Sequence, residues 1–292
     1  MDSTARMETN LEILPYEINY LPKFALKKCE EECKETPERK INSIQELRYL
    51  LLSNPTTSGI YYHDDFLLQY LRRNKYRISR CFKEIQNFAL LKQKESLTFE
   101  RLPEQYLSLS SVAEIITLLP KRSPDGCAMI LTQIGKWDPE VFPFLHLKQY
   151  VLTLFLQLLR DPMAQITGLK SIHDTQGIST RHLKYGTLQN IFLSYHALIN
   201  CFPGRYNDVH IIHLSAITKI VWKIVKPILS EKMTSRIHFH SKSEELLKFF
   251  PSSIIPTKFG GKLQDSIDMS EFLRNARKER ERYTIEGRPN LY

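Results

Sequence analysis

Lys232 and Arg236 stand four residues apart at the end of a long apolar stretch. If the run SEKMTSR is helical, both project from one face. A guanidinium fork beside an ammonium point charge captures a polyanion such as a phosphorylated headgroup. A solvated charged face is the plainer alternative. His238 and His240 follow, flanking Phe239 in a short run of strand composition, so both rings point to one side. Two imidazoles on a strand face can bind metal, but no third ligand with convincing spacing accompanies them. Histidines satisfied by neighbouring backbone are the simpler expectation. Asp174 closes the run GLKSIHD and precedes Gly177. It could act as a general base, although a turn- or helix-capping carboxylate is the more economical role. The chain contains no G-x-S-x-G, no P-loop and no GxGxxG, so nothing points to a nucleophile or a nucleotide site.

The elements that must position these groups alternate. Val209–Leu214 and Ile237–His240 have strand length and composition, and between them Ile217–Leu229 repeats apolar residues at helical spacing. Strand–helix–strand implies parallel strands with a helical crossover. Ile217, Ile220, Val221, Trp222, Ile224, Val225, Ile228 and Leu229 are more than one buried stripe needs. Such a helix is either wedged between packed layers or closes over something apolar. Upstream, Cys127–Ile134 and Ile166–Asp174 read as strands. Leu145–Leu159 reads as a helix apolar almost all round, and Thr180–Asn200 is helical. This alternation indicates an α/β fold with a mostly parallel sheet. The first hundred residues differ. Leu21–Cys33, Ile44–Ser53, Asp64–Leu71 and Ile78–Lys92 carry amphipathic helical patterns, with a charged turn KETPERK between the first two, so an N-terminal all-α subdomain is expected. Phe272–Arg282 reads as a charged C-terminal helix. Residues 1–17 and the last ten are expected to be mobile.

The chain of 292 residues is 42% hydrophobic, enough for one large domain and a smaller one. No stretch of about 18 apolar residues lacks a charge, and the N-terminus has no signal-peptide pattern, so a cytoplasmic protein is expected. Five cysteines form an odd set without a CxxC pair. Cys29 and Cys33, one helical turn apart within KKCEEECKE, are expected on a solvated face, and a disulfide framework is not. The net charge of +9 suits an anionic surface. No zinc-finger, recognition-helix or RNP-like signature supports nucleic acid as the partner.

VKPILSEKMTSRIHFH and the closing Gly260–Gly261 resemble the lipid-binding domain of the CRAL-TRIO, or Sec14-like, family. The WDP turn at Trp137–Pro139, the spacing of Gly168, Asp174 and Gly177, and the FLLxxLR…KY pattern of the N-terminal helices extend the resemblance from about Leu21 to Gly261. The resemblance implies a CRAL-TRIO α/β domain over residues 101–265, with a mostly parallel sheet and a gate helix over an apolar cavity. A helical subdomain over 18–100 precedes it, and a C-terminal helix and tail over 266–292 follow. It implies a non-enzymatic, monomeric carrier of one small hydrophobic ligand, with no other cofactor. Carried over position by position from tocopherol-carrying members, the cavity residues are Val151, Phe155, Leu169, His173, Ile178, Ser194, Ala197, Leu198, Phe202 and Val209; each apolar one could equally be ordinary core. The gate contributes Ile220, Val221 and Ile224, which would dip toward a bilayer.

Two departures bear on the ligand. Val151 and Phe155 stand where those members place serines, and His173 stands where they place a phenylalanine. A pocket losing hydroxyls and gaining an imidazole is expected to prefer a different hydrophobic molecule: a retinoid, sterol, carotenoid or phospholipid chain rather than tocopherol. His173 would bond its polar end. The resemblance also implies a phosphoinositide site at Lys232, Arg236 and Arg205. A fourth family arginine is Asn74 here, so Arg73 or Lys75 would replace it. The expected function is ligand release at phosphoinositide-containing, endosomal membranes. A lipid-sensing adaptor recruited to such membranes without bulk transfer is the alternative, although no clathrin-box pentapeptide is evident.

Overall fold

The computed structural model describes residues 13–282. Four helices come first: α1 (Lys23–Cys33), α2 (Pro37–Leu52), α3 (Asp64–Arg73) and α4 (Ile78–Lys94). The expected turn around Pro37 is instead the start of α2. Thr36 Oγ1 accepts from Arg39 N at 3.1 Å, and Pro37 occupies the first helical position, where its missing N–H costs nothing. Cys29 and Cys33 are buried rather than solvated, because the four-residue step Ala25–Cys29–Cys33 forms the inward stripe of α1. The helices share one core of Leu47, Leu51, Phe66, Tyr70, Ile85 and Phe88, which continues into Leu156, Ile166 and Phe202 of the following half. Of the N-terminal stretch expected to be mobile, residues 1–12 lie outside the described residues, but Leu14 and Tyr16 are buried. Arg122 donates to the Tyr16 carbonyl and fixes them there. The last ten residues, also expected to be mobile, lie outside the described residues too.

Two short helices, α5 (Glu104–Leu107) and α6 (Ser110–Ala113), lead into the sheet. Its strands are β1 (Ile116–Leu118), β2 (Ala128–Gln133), β3 (Leu169–Asp174), β4 (Tyr206–Ile212) and β5 (Ile237–Phe239), ordered 1-2-3-4-5. β1 is antiparallel to β2 and the rest are parallel. β1 was not expected; three residues are too few to show a period. The crossovers are α7 (Phe144–Leu158) with α8 (Pro162–Thr167), α9 (Thr180–Leu183) with α10 (Leu188–His196), and α11 (Ala216–Val225) with α12 (Glu231–Thr234); α13 (Met269–Arg282) ends the described chain. Strands laid down in sequence by crossovers of one hand place those helices on one face of the sheet.

The strand expected from Ile166 begins only at Leu169. Ile166 and Thr167 complete α8, which Asp161 caps by accepting from the amides of Met163 and Ala164. Gly168 then turns the chain at φ +94°, a conformation suited to glycine, and a Cβ there would meet the Arg205 carbonyl at 2.6 Å. The helix expected over Thr180–Asn200 is divided between α9 and α10 and ends in a π-helical turn, Ala197–Cys201. The face opposite the crossovers is closed by the segment 243–263. Its Leu246, Phe250, Ile254, Ile255 and Phe259 cover Met129, Leu131, Ile172 and Ile212. Gly261 sits where a Cβ would strike the Ile255 carbonyl at 1.8 Å, which accounts for the closing glycine pair.

Candidate functional site

Strand register sorts the sheet into two unlike faces. Ile172 and Ile212, on the side that the segment 243–263 covers as a strap, are fully buried (0%). On the crossover side, Thr132, Ser171, His173, Val209, Ile211 and Ile237 are only half-buried, although β3 and β4 are interior strands and pairing puts these residues next to one another. Toward the β1–β2 edge the same face is filled: Ala128, Ile130 and Leu169 pack against Tyr150, Leu154 and Leu158 of α7. The half-buried strip lies on the α11 side, where the Trp222 and Phe239 rings meet at 4.9 Å.

α11 is the apolar helix singled out from its sequence. Thr218 is its only buried residue. Ile217, Val221, Trp222 and Val225 are half-buried, and Ile220 (54%) and Ile224 are exposed. The deep-core alternative therefore fails: a helix wedged between layers would bury its Ile and Val side chains. α10 behaves likewise. None of its residues is buried, and Leu188 and Phe192, one turn apart, are exposed; sequence reasoning passed over both, although apolar residues four apart on one helix were visible.

Of the expected cavity residues, Val151, Phe155, His173, Ile178, Ala197, Leu198 and Val209 are half-buried. Leu169 and Phe202 are core: Leu169 belongs to the α7–sheet cluster, and Phe202 packs on Phe88 at 5.4 Å. Ser194 is exposed on α10. His173 Nε2 lies 3.0 Å from Ser171 Oγ, its neighbour on the same strand face. Burial pulls the His173 pKa down to about 4, so the ring is neutral at physiological pH. The strip thus offers apolar walls and one uncharged imidazole–hydroxyl pair.

The helix carrying Lys232 and Arg236 is not continuous, as the shared-face expectation required. Pro227 turns the end of α11 into a 3-10 turn, Lys226–Ile228. Ser230 caps the one-turn α12, and Arg236 falls after it. The charges still converge. Lys232 is held below the ordinary lysine pKa first by Arg236, then by partial burial, Arg73 and Lys75. Arg236 donates to the Tyr206 carbonyl. Arg205 is turned inward instead. Its guanidinium donates to the carbonyls of Ile166 (3.0 Å) and Arg72 and to Cys33 Sγ (3.1 Å), and pairs with Glu32 at 3.4 Å. Its Nη donors are engaged within the protein rather than turned outward toward a phosphate. Asn74, at the family-arginine position, is buried against Glu84 at 2.7 Å.

Asp174 accepts from Gln176 N at 3.0 Å and from Gln133 Nε2 at 3.2 Å, and its Oδ1 lies 2.8 Å from His213 Nδ1. It is a turn-capping carboxylate, as the economical reading had it. His238 and His240 are satisfied by side chains rather than backbone. His240 Nε2 lies 2.9 Å from His210 Nδ1, and His238 Nε2 lies 3.5 Å from Asp208. Among the described residues, no group of three His, Cys, Asp or Glu could hold a metal ion, and no helix is long and apolar enough to cross a membrane.

A half-buried strip on interior strands beside an apolar helix with one buried residue, on a sheet of this topology, is consistent with a lipid-binding domain. The CRAL/TRIO domain model matches residues 113–261, and the chain belongs to the CRAL-TRIO family. Among its relatives, the alpha-tocopherol transfer protein-like proteins of Homo sapiens and Mus musculus are each 26% identical over 238 residues. The match covers 80% of this chain and 69% and 68% of theirs, respectively. Clavesin-1 of Rattus norvegicus is 23% identical over 241 residues, covering 82% of this chain and 68% of its own. The crystal structure of Sfh5 superposes with a TM-score of 0.52 at 10% identity, covering 91% of this chain and all of that one, and shares its fold.

Proposed function

We propose that the protein is a monomeric, non-enzymatic carrier that holds one hydrophobic molecule on the strip between α11 and strands β3–β5 and releases it at phosphoinositide-containing cytoplasmic membranes, endosomal ones among them. The observation that carries this reading is the half-buried row Ser171, His173, Val209 and Ile211 on two interior strands. An interior strand face left unpacked forfeits burial worth about 25 cal/mol per Å² of apolar surface; a guest recovers it at about 0.8 kcal/mol per CH₂. Val151, Phe155, Ile178, Ala197, Leu198 and Val221 surround the guest, and His173 meets its polar end. Lys232, Arg236, Arg73 and Lys75 receive the phosphorylated headgroup. Ile220 and Ile224, with Leu188 and Phe192, enter the bilayer boundary. Headgroup binding favours the open gate, and by linkage an open gate binds headgroup more tightly.

Mass spectrometry of the purified protein identifies the guest. A retinoid, sterol, carotenoid or phospholipid agrees with the reading, and tocopherol as the dominant species refutes the ligand argument. Transfer between vesicles separates a carrier from an adaptor that only docks. In the Lys232→Ala/Arg236→Ala variant, phosphoinositide-dependent transfer is expected to disappear while basal transfer persists. Unchanged transfer would remove the cation cluster from the mechanism.

A further inference from the structure

Two buried polar atoms near the cation cluster have no hydrogen-bond partner among the described residues: Arg73 Nε and Tyr206 Oη. Orphaned buried donors are rare, since each forfeits its hydration without recompense. Glu84, an acidic group close to Arg73, accepts from Asn74 Nδ2 at 2.7 Å, and Arg73 Nε remains unpaired. The Tyr206 hydroxyl is accommodated by Gly204, where a Cβ would approach it to 2.9 Å. Arg73 acts electrostatically on Lys232 together with Lys75 and Arg236, and it acts on the Tyr206 hydroxyl as well, while Arg236 donates to the backbone carbonyl of Tyr206. On its other side the Tyr206 ring meets Phe155 edge-on at 6.0 Å.

We propose that Tyr206 is a specificity-determining ligand of the anion site: its hydroxyl and Arg73 Nε donate to one phosphate of the bound headgroup, while its ring forms part of the guest-binding wall. The inference rests on the carrier reading above and adds to it a physical link. One side chain touches both ligands, so fixing the hydroxyl on a phosphate fixes the ring against Phe155, and the coupling is reciprocal. A phosphate monoester suits this place because it accepts several hydrogen bonds at once and neutralises converging cations. The source is a membrane headgroup or a soluble inositol phosphate; the chemistry at the site is the same.

The test uses the full chain and Tyr206→Phe, which keeps the ring and removes only the hydroxyl. Binding is measured by calorimetry with soluble inositol trisphosphate, and by flotation with phosphatidylcholine vesicles with and without phosphatidylinositol bisphosphate. Tyr206→Phe is expected to bind about tenfold more weakly, with unchanged melting temperature and unchanged salt dependence. Arg73→Gln is expected to weaken binding and flatten the salt dependence. The double variant is expected to lose less than the sum of the two, because both act on one phosphate. Loss in both assays supports the proposal for either source, and loss on vesicles alone assigns it to a membrane headgroup. If Tyr206→Phe binds like the wild type while Lys232→Ala/Arg236→Ala does not, the role of Tyr206 is overturned and the carrier reading stands. If the wild type binds neither probe, the anion site of the carrier reading falls, and this proposal falls with it.

Discussion

His173 and Arg205 show how position decides what a polar side chain can do. His173 lies on the half-buried strip with Ser171 as its partner, and burial, which pulls its pKa down to about 4, keeps it neutral at physiological pH. It therefore suits an uncharged hydroxyl or carbonyl on the guest rather than a carboxylate. His173→Phe should leave the fold intact and shift the copurifying lipids toward less polar ends; an unchanged lipid profile would remove His173 from recognition. Arg205 donates to two carbonyls and a sulfur at the seam between the helical half and the sheet. Arg205→Ala should lower stability by about 2–4 kcal/mol in chemical denaturation, because it orphans buried acceptors and leaves Glu32 without one of its partners. Loss of vesicle binding with no loss of stability would return Arg205 to the phosphate site.

At the scale of elements, α11 stands out because its composition and its burial disagree. An apolar helix ordinarily buries its Ile and Val side chains, yet here only Thr218 is buried. Pro227, with no N–H to donate, ends it and separates it from α12. Ile220 and Ile224 are already exposed, so Ile220→Ser/Ile224→Ser should leave the melting temperature unchanged. Association with anionic vesicles should fall about tenfold, since each lost side chain forfeits roughly 1.5–3 kcal/mol of burial when fully inserted and less when it only touches the boundary. A fall in melting temperature instead would place these residues in the protein's own packing.

For the whole molecule, the histidine cluster under the segment 243–263, together with His173, contributes to the response to acid. His210 stacks between His238 at 4.8 Å and His240 at 5.2 Å under Phe249 and Phe250. Asp208, Glu245, Lys170 and Lys248 are the charged groups facing the three rings. Burial and then the two neighbouring imidazoles pull His210 down to about 3, and burial also lowers His240. A histidine whose pKa is depressed by folding binds fewer protons in the native state. Its contribution is complete above the unfolded value near 6.5 and is lost as pH falls toward the folded value, at up to about 1.4 kcal/mol per pH unit. Glu35 acts in the same direction at lower pH: burial opposes ionisation, but the paired bonds from Arg72 at 2.8 and 2.9 Å bring it to about 2. Denaturation midpoints should therefore fall steadily from about pH 6.5 to about pH 3. His210→Asn should flatten the upper part of that slope; an unchanged slope would exclude the cluster.

Periodicity and composition by themselves determined the alternation of strands with crossover helices, the amphipathic helices before it, and the unusual apolarity of α11, because hydrophobic spacing is a local record of which face is buried. The family spacing of Gly168, Asp174, Gly177 and Gly260–Gly261 was equally legible, since backbone approaches such as that of Gly261 to Ile255 admit no side chain. Only the tertiary structure decided which chemical groups meet. Arg73 and Lys75 lie more than 150 residues before Lys232, and no local pattern announces their convergence or the inward turn of Arg205. The orphaned hydroxyl of Tyr206 likewise has no sequence signal, because whether a buried donor finds a partner depends on elements that meet only after the sheet has formed.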